Sequence, residues 1–205
     1  QLTHVTLPKN NTAFQMENFV FTGYSTLENI NLPTSLTSIP QDAFSNCISL
    51  KEVTLPGALT ELGHQAFKGC TQLTKITIPG TITSFNSSVF ANSGLTEVTI
   101  NNGIREIGEN AFENTPLTSI TFPKTITRIS GLGNSNITNI HFAEGAEPTE
   151  IVENAFYGCK IATFNIPASV TTIKEGAFQY SSIQEITIPE TVTTIEDRCF
   201  NNCNE

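Results

Sequence analysis

Apolar and polar positions recur along this chain in one pattern, seen most clearly in residues 50–70 and 183–203. It runs aliphatic-x-x-aliphatic-x-aliphatic-Pro, then aliphatic-Thr-x-aliphatic, then a small residue followed by Phe. In residues 50–55, Val53 and Leu55 share one face and Thr54 points away. That period of two predicts a short strand. Proline follows as Pro8, Pro33, Pro56, Pro79, Pro123, Pro167 and Pro189, with Asn101 and Ala143 as the exceptions. It lacks an N–H for a ladder, so it suits a strand end. A second short β-like piece comes next, at 36–39, 59–62, 104–107 and 170–173. A polar turn then leads to the small-Phe pair, where one helical or 3-10 turn at most is expected.

The first aliphatic residue of each strand is Leu2, Leu27, Leu50, Leu73, Leu95, Leu117, Ile137, Ile161 and Ile183. A sustained period of this size means a solenoid. The expectation is one array of nine repeats over residues 1–205, each burying its apolar side against its neighbours. The chain starts one residue before a strand and stops where a tenth repeat would begin, which predicts a piece of a longer array. Phe21, Phe44, Phe67, Phe90, Phe112, Phe156, Phe178 and Phe200 form a column predicted to be core throughout. The sixth repeat has no such ring and is short, and an acidic connection, residues 144–150, follows it in the seventh. The main irregularity, with a void or looser turn, is therefore expected at 130–153. A milder insertion lies at 10–16.

The strand signature Leu-x-x-Val-x-Leu, in the version Ile186-Thr187-Ile188-Pro189 with Gly176-Ala177-Phe178, resembles the BspA-like leucine-rich repeat family. The usual leucine-rich-repeat Asn is replaced by Ser35, Thr81, Thr125, Ser169 and Thr191, with Ala58 and Gly103 as further departures. The resemblance implies a β-rich α/β leucine-rich-repeat solenoid. It would be a right-handed superhelix with a parallel sheet on one face and short helical or 3-10 turns elsewhere. It also implies a surface or secreted protein of a mucosal bacterium or protist, adhering to host matrix proteins or cells. The family has no shared catalytic motif, so no functional residue carries over.

Charge narrows the partners. The net charge of −9 repels phosphate backbones, so nucleic acid is not an expected partner. No apolar run approaches the roughly 18 residues of a membrane span. Residues 1–5 contain no Met and no signal-like segment, so any signal was removed or lies outside this sequence.

Candidate chemistry is sparse. Cys47, Cys70, Cys159 and Cys203 stand three residues after the column Phe, where other repeats have Tyr24, Ser93, Thr115 and Ser181. This is a small-residue column of buried free thiols rather than a metal set. Stacked equivalents about 5 Å apart also leave a Cys47–Cys70 disulfide within reach. Cys199 replaces the usual Ala. His4 and His141 would lie about 30 Å apart at ~4.8 Å per repeat, too far to share a site, and His64 falls on a turn. Glu144, Glu147, Glu150 and Glu153 lack the spacing of a calcium loop and read as a solvated acidic loop. No nucleophile elbow or phosphate-binding Gly loop appears. No catalytic activity, cofactor or metal is expected. Sequons at Asn10, Asn86 and Asn136 matter only in a eukaryotic source.

The outward strand positions carry Thr6, Asn31, Thr54, Thr77, Thr99, Thr121, His141, Asn165 and Thr187. Glu52, Lys75 and Glu97 lie two places earlier and alternate in sign. Such a column either only keeps the sheet soluble or forms a broad docking face. The binding site is therefore expected at Glu52, Thr54, Lys75, Thr77, Glu97, Thr99, Thr121 and His141. The expected function is a non-enzymatic extracellular or cell-surface module that binds protein ligands, host extracellular matrix among them. An intracellular leucine-rich-repeat scaffold and an accessory domain of a larger surface enzyme are the alternatives.

Overall fold

The computed structural model describes residues 2–9 and 11–203. The chain forms a parallel β-solenoid of stacked coils, in which each strand pairs with its equivalent in a neighbouring coil. The first series of strands is His4–Thr6, Asn29–Asn31, Lys75–Ile78, Glu97–Ile100, Ser119–Phe122, Asn139–Phe142, Thr163–Asn165 and Glu185–Thr187. The second is Ser38–Ile39, Glu61–Leu62, Arg128–Ile129, Glu150–Ile151, Thr172–Ile173 and Thr194–Ile195. In Lys75–Ile78 and Ser119–Phe122 exposure alternates strictly with burial, as the period of two requires. Inward residues of both series join the aliphatic residues that open each coil, Leu27 to Ile161, in one continuous core.

Small hydroxyl residues tie the coils together. Thr60, Thr127, Thr149, Thr171 and Thr193 donate side-chain hydrogen bonds to a main-chain carbonyl one coil back. At the departed Asn position, Thr81, Thr125 and Ser169 do the same, to Leu59 O, Ile104 O and Pro148 O. The carbonyls of Thr37, Arg105, Thr127, Thr149 and Thr171 also accept a main-chain amide from the adjacent coil, so there the hydroxyl is an additional donor.

The expected helical or 3-10 turns are absent: no helix occurs among the described residues. The hydrogen bonds give the reason. Around Phe44, the amides of Ala43, Ser45 and Cys47 bond within their own turn, to Pro40, Asp42 and Phe44 O. Those of Asp42, Phe44 and Asn46 bond instead to His64, Ala66 and Lys68 of the next coil. A helix would keep all its amides inside the segment. Here alternate amides serve the stack. Left-handed residues four apart, such as Asp42 (φ 53°) and Asn46 (φ 59°), break any helical run.

Phe44, Phe67, Phe90, Phe112, Phe156 and Phe178 are fully buried and stack nearly parallel, for example Phe44 on Phe67 at 5.2 Å and 11°. Core throughout is too strong, however: Phe21 is only half-buried and Phe200 is 36% exposed. Each has a column ring on one side only, Phe44 and Phe178 respectively.

At the sixth repeat Leu132 is buried, and its amide bonds Ala155 O, as a column Phe would bond the next coil. Rings appear nearby on the strands instead: Phe122, Phe142 and Phe164, with Phe122 stacked on Phe142 at 5.4 Å. The turn is drawn in rather than loosened, since a Cβ at Gly131 (φ 80°) would overlap the Ile107 side chain. The space left is an open notch of about 300 Å³, lined by Glu106, Arg128, Ser130 and Glu153 among others. Acidic Glu150 flanks it but is no solvated loop residue, because it lies in strand Glu150–Ile151, 3.2 Å from Arg128 Nε.

A second discontinuity lies on the other side. The first-series sheet is not continuous: Asn29–Asn31 pairs with His4–Thr6 and bridges to Glu52, and three separate strand pairs follow. Among the described residues no main-chain ladder joins coil three (residues 50–72) to coil four (73–94), five (95–116) to six (117–136), or seven (137–160) to eight (161–182) on this face. The second series holds a run of four paired strands, from Arg128–Ile129 to Thr194–Ile195.

Candidate functional site

Outward alternation places Glu52, Thr54, Lys75, Thr77, Glu97, Thr99, Thr121 and His141 all exposed on the first-series face. Parallel pairing aligns Lys75 with Glu97, Thr77 with Thr99, and Thr121 with His141. Six of them, Glu52, Thr54, Lys75, Thr77, Glu97 and Thr99, line a single groove of about 790 Å³. It lies over the break between coils three and four, with Val53, Leu55 and Ile76 also in its lining. Thr121 lines a smaller groove of about 390 Å³ with Thr99, Asn101 and Pro123. His141 lines neither, and stands beside Thr121 in register.

The expected alternation of Glu52, Lys75 and Glu97 is only partly realised. Lys75 Nζ lies 2.7 Å from Glu97 Oε2, and that hydrogen bond and charge raise the lysine's pKa. Lys51 is held by Glu28, also at 2.7 Å. Glu52 forms no ion pair among the described residues. It faces a coil from which the ladder has parted.

The other sequence candidates lie apart. Asn31 Nδ2 donates to His4 Nε2 at 3.3 Å, and His64 Nδ1 lies 2.8 Å from Ser87 Oγ. All five cysteines are free, so Cys47 and Cys70 are not bridged. Cys47, Cys70 and Cys203 each donate to the carbonyl of the column Phe one coil back, at 3.0–3.1 Å. Burial pushes the Cys47 thiol up to about 11 and the Cys70 thiol higher still. No group of three or more His, Cys, Asp or Glu among the described residues is arranged to hold a metal ion. Of the sequons, Asn10 lies outside the described residues. Asn86 and Asn136 commit their Nδ2 to Leu62 O and Thr115 O.

One feature escaped the sequence reading. Across the second-series face runs a charge ladder: Glu106, Arg128, Glu150, Lys174, Glu196. Arg128 Nη1 meets Glu106 at 2.8 Å, and Lys174 Nζ meets Glu196 at 2.8 Å and Glu150 at 3.9 Å. The Arg128 Nε–H is not aimed at Glu150, so that contact is ionic rather than a hydrogen bond. Hydrogen bonding and charge raise Lys174 and lower Glu196 in pKa. The signal was present: Glu106, Arg128 and Glu150 occupy the same place in successive repeats.

The coils, their parallel strands and the recurring Phe turn agree with a family model. The BspA-type leucine-rich repeat region matches residues 14–140 and 132–205. The chain belongs to the BspA-type leucine-rich repeat family. Solved bacterial structures share the fold. A Treponema pallidum leucine-rich repeat protein is 26% identical with a TM-score of 0.59, the match covering 74% of each chain. A leucine-rich cell surface protein of Faecalibacterium prausnitzii is 25% identical with a TM-score of 0.50, over 98% of this chain and 73% of that one. The pneumococcal vaccine antigen PcpA has a TM-score of 0.60 at 17% identity, and the match spans 54% of its length. No curated protein matches the sequence. Among the described residues, no helix is long and apolar enough to cross a membrane.

Proposed function

We propose that this chain is a non-enzymatic protein-binding module that works at a cell surface, where it adheres to host matrix or cell-surface proteins through the first-series face. The observation that carries the reading is the pair of exposed, in-register couples Thr77–Thr99 and Thr121–His141 beside the groove around Glu52 and Lys75. Leucine-rich-repeat arrays characteristically use such extended repeat faces for binding. The cell-surface reading draws on the BspA-type family and on its Faecalibacterium relative, itself a leucine-rich cell surface protein.

The test is capture of purified matrix and cell-surface proteins on the immobilised chain. Replacing Thr54, Thr77, Thr99 and Thr121 together by Arg should weaken a captured ligand at least tenfold, with the far-UV circular dichroism unchanged. Undiminished binding by that variant overturns the assignment to this face.

A further inference from the structure

We infer that copies of this chain stack end to end, the last coil of one receiving the first coil of the next, so that the solenoid continues across a non-covalent joint.

Positions that inner coils bury are open at the two ends of the stack. Ile195 is 47% exposed, whereas Ile173, its partner in the strand ladder, is fully buried. Leu2 is 46% exposed, whereas Leu27, which opens the following coil, is fully buried. Phe21 and Phe200 each have a column ring on one side only. Apolar exposure alone does not name an occupant. The main-chain groups do.

In the Phe turns the bonds between coils run one way. Alternate amides donate to the coil that follows: Phe19, Phe21 and Gly23 to Gln41, Ala43 and Ser45 O, and Gly176, Phe178 and Tyr180 to Asp197, Cys199 and Asn201 O. A one-way stack ends with unused donors on one face and unused acceptors on the other. Among the described residues, the amides of Arg198, Phe200 and Asn202 donate to no main-chain carbonyl, and the carbonyls of Asn18, Val20 and Thr22 accept from no amide. The two sets hold the places in the repeat that bond to each other between inner coils. Arg198 and Asn202 (φ 58° and 57°) also keep the left-handed backbone of Asp42 and Asn46, whose amides do bond forward. The first coil of a second copy therefore satisfies the last coil of this one. Two last coils would set donors against donors.

Charge follows the same register. Glu190 comes after Pro189 as Lys9 comes after Pro8, and Glu185 stands two residues after Ile183 as His4 does after Leu2. Across a joint at the ordinary ~4.8 Å between strands, Glu190 meets Lys9 and Glu185 meets His4. Neither glutamate, nor Lys9, has an ion-pair partner among the described residues. A head-to-tail joint of this kind does not close on itself, so growth is open-ended, and it lengthens the first-series face rather than covering it.

Sedimentation velocity of the full 205-residue chain at rising concentration is the test. Species should grow beyond a dimer. Leu2→Asp with Val20→Asp blocks the first coil, and Ile188→Asp with Ile195→Asp blocks the last. Each double variant alone should associate at least tenfold more weakly, with unchanged far-UV circular dichroism. Mixed, they should form a one-to-one complex and nothing larger, because each retains the face the other has lost. A second pair tests register with exposed residues only: Lys9→Glu and Glu190→Lys should each weaken association, and mixing them should restore one joint. A chain that stays monomeric, association unmoved by both double variants, or a mixture that forms no complex overturns the inference. So does one double variant that dimerises undiminished by itself, the mark of a joint between like ends.

Discussion

Truncation of Phe112 to Ala probes what holds neighbouring coils together. The ring is fully buried, stacks on Phe90 at 5.8 Å and 7°, and meets the edge of Phe85 at 6.5 Å. An aromatic side chain buries about 150–250 Å², which at ~25 cal/mol/Å² gives about 4–6 kcal/mol. That is an upper bound, because Ala retains part of the area and the unfolded chain is not fully extended. Lost stacking adds about 0.5–1.5 kcal/mol per aromatic pair. A destabilisation of about 3–5 kcal/mol is therefore expected, the range for buried Phe to Ala. Phe200 is the internal control. It is 36% exposed and has one column neighbour, Phe178 at 5.4 Å, so its truncation should cost less than half as much. Urea unfolding followed by far-UV circular dichroism measures both. Phe112 is the last column ring before the repeat that carries Leu132 instead, so its loss should also broaden the transition as the two halves of the array uncouple. A loss below about 1 kcal/mol for Phe112→Ala, or equal losses at the two positions, would refute the reasoning.

Cys47 and Cys70 should resist alkylation at pH 8 in the folded chain while half-buried Cys203 reacts, as mass spectrometry of labelled peptides would show. Their raised values also mean that this contribution to stability is complete below about pH 8.5, the ordinary thiol value, and is lost as pH rises toward 11; urea midpoints measured across that window check the sign. Arg128→Met should weaken the chain by no more than about 1 kcal/mol at low salt, and the difference should shrink in 1 M NaCl, since the pairs are partly open to solvent. Hydrogen exchange should be faster at the amides of Lys75 and Thr77, which face the parted ladder, than at Glu97 and Thr99; equal protection would contradict the break.

Much of this architecture was legible because a repeat states each structural decision many times. Val53, Ile76 and Ile120 alternate with Thr54, Thr77 and Thr121, and the structure buries the first set and exposes the second. What the period could not show is where amides go. The turn after the second strand has helical length, yet alternate N–H groups leave it for the next coil, a partition fixed by the stacking of coils rather than by any local pattern. The sixth repeat illustrates the same limit. A missing ring suggests a void, but Leu132 enters the column and Phe122, Phe142 and Phe164 bring aromatic bulk in from the strands. Exposure of the candidate residues also followed from the pattern. Their gathering into one groove did not, because it depends on where the strand ladder parts.

The chemistry of the proposed face limits how it can hold a partner. Thr54, Thr77, Thr99 and Thr121 offer single hydroxyls, and the Lys75–Glu97 pair is well exposed, at 70% and 59%. Solvent screens an exposed pair of that kind, so it contributes little and no residue on the face is a strong anchor. Strength must come from a wide contact or from repetition. Repetition acts differently. Once one chain on a surface has engaged, neighbouring copies meet their ligands at an effective concentration that raises the overall affinity by about 10²–10⁴ without any new contact. On the proposed reading, modest binding by an isolated chain and firm binding by a dense array are both expected from the same small residues. Single substitutions of the threonines should weaken the monomer slightly, whereas the fourfold variant, by placing bulk across the whole face, removes the contact on which avidity builds.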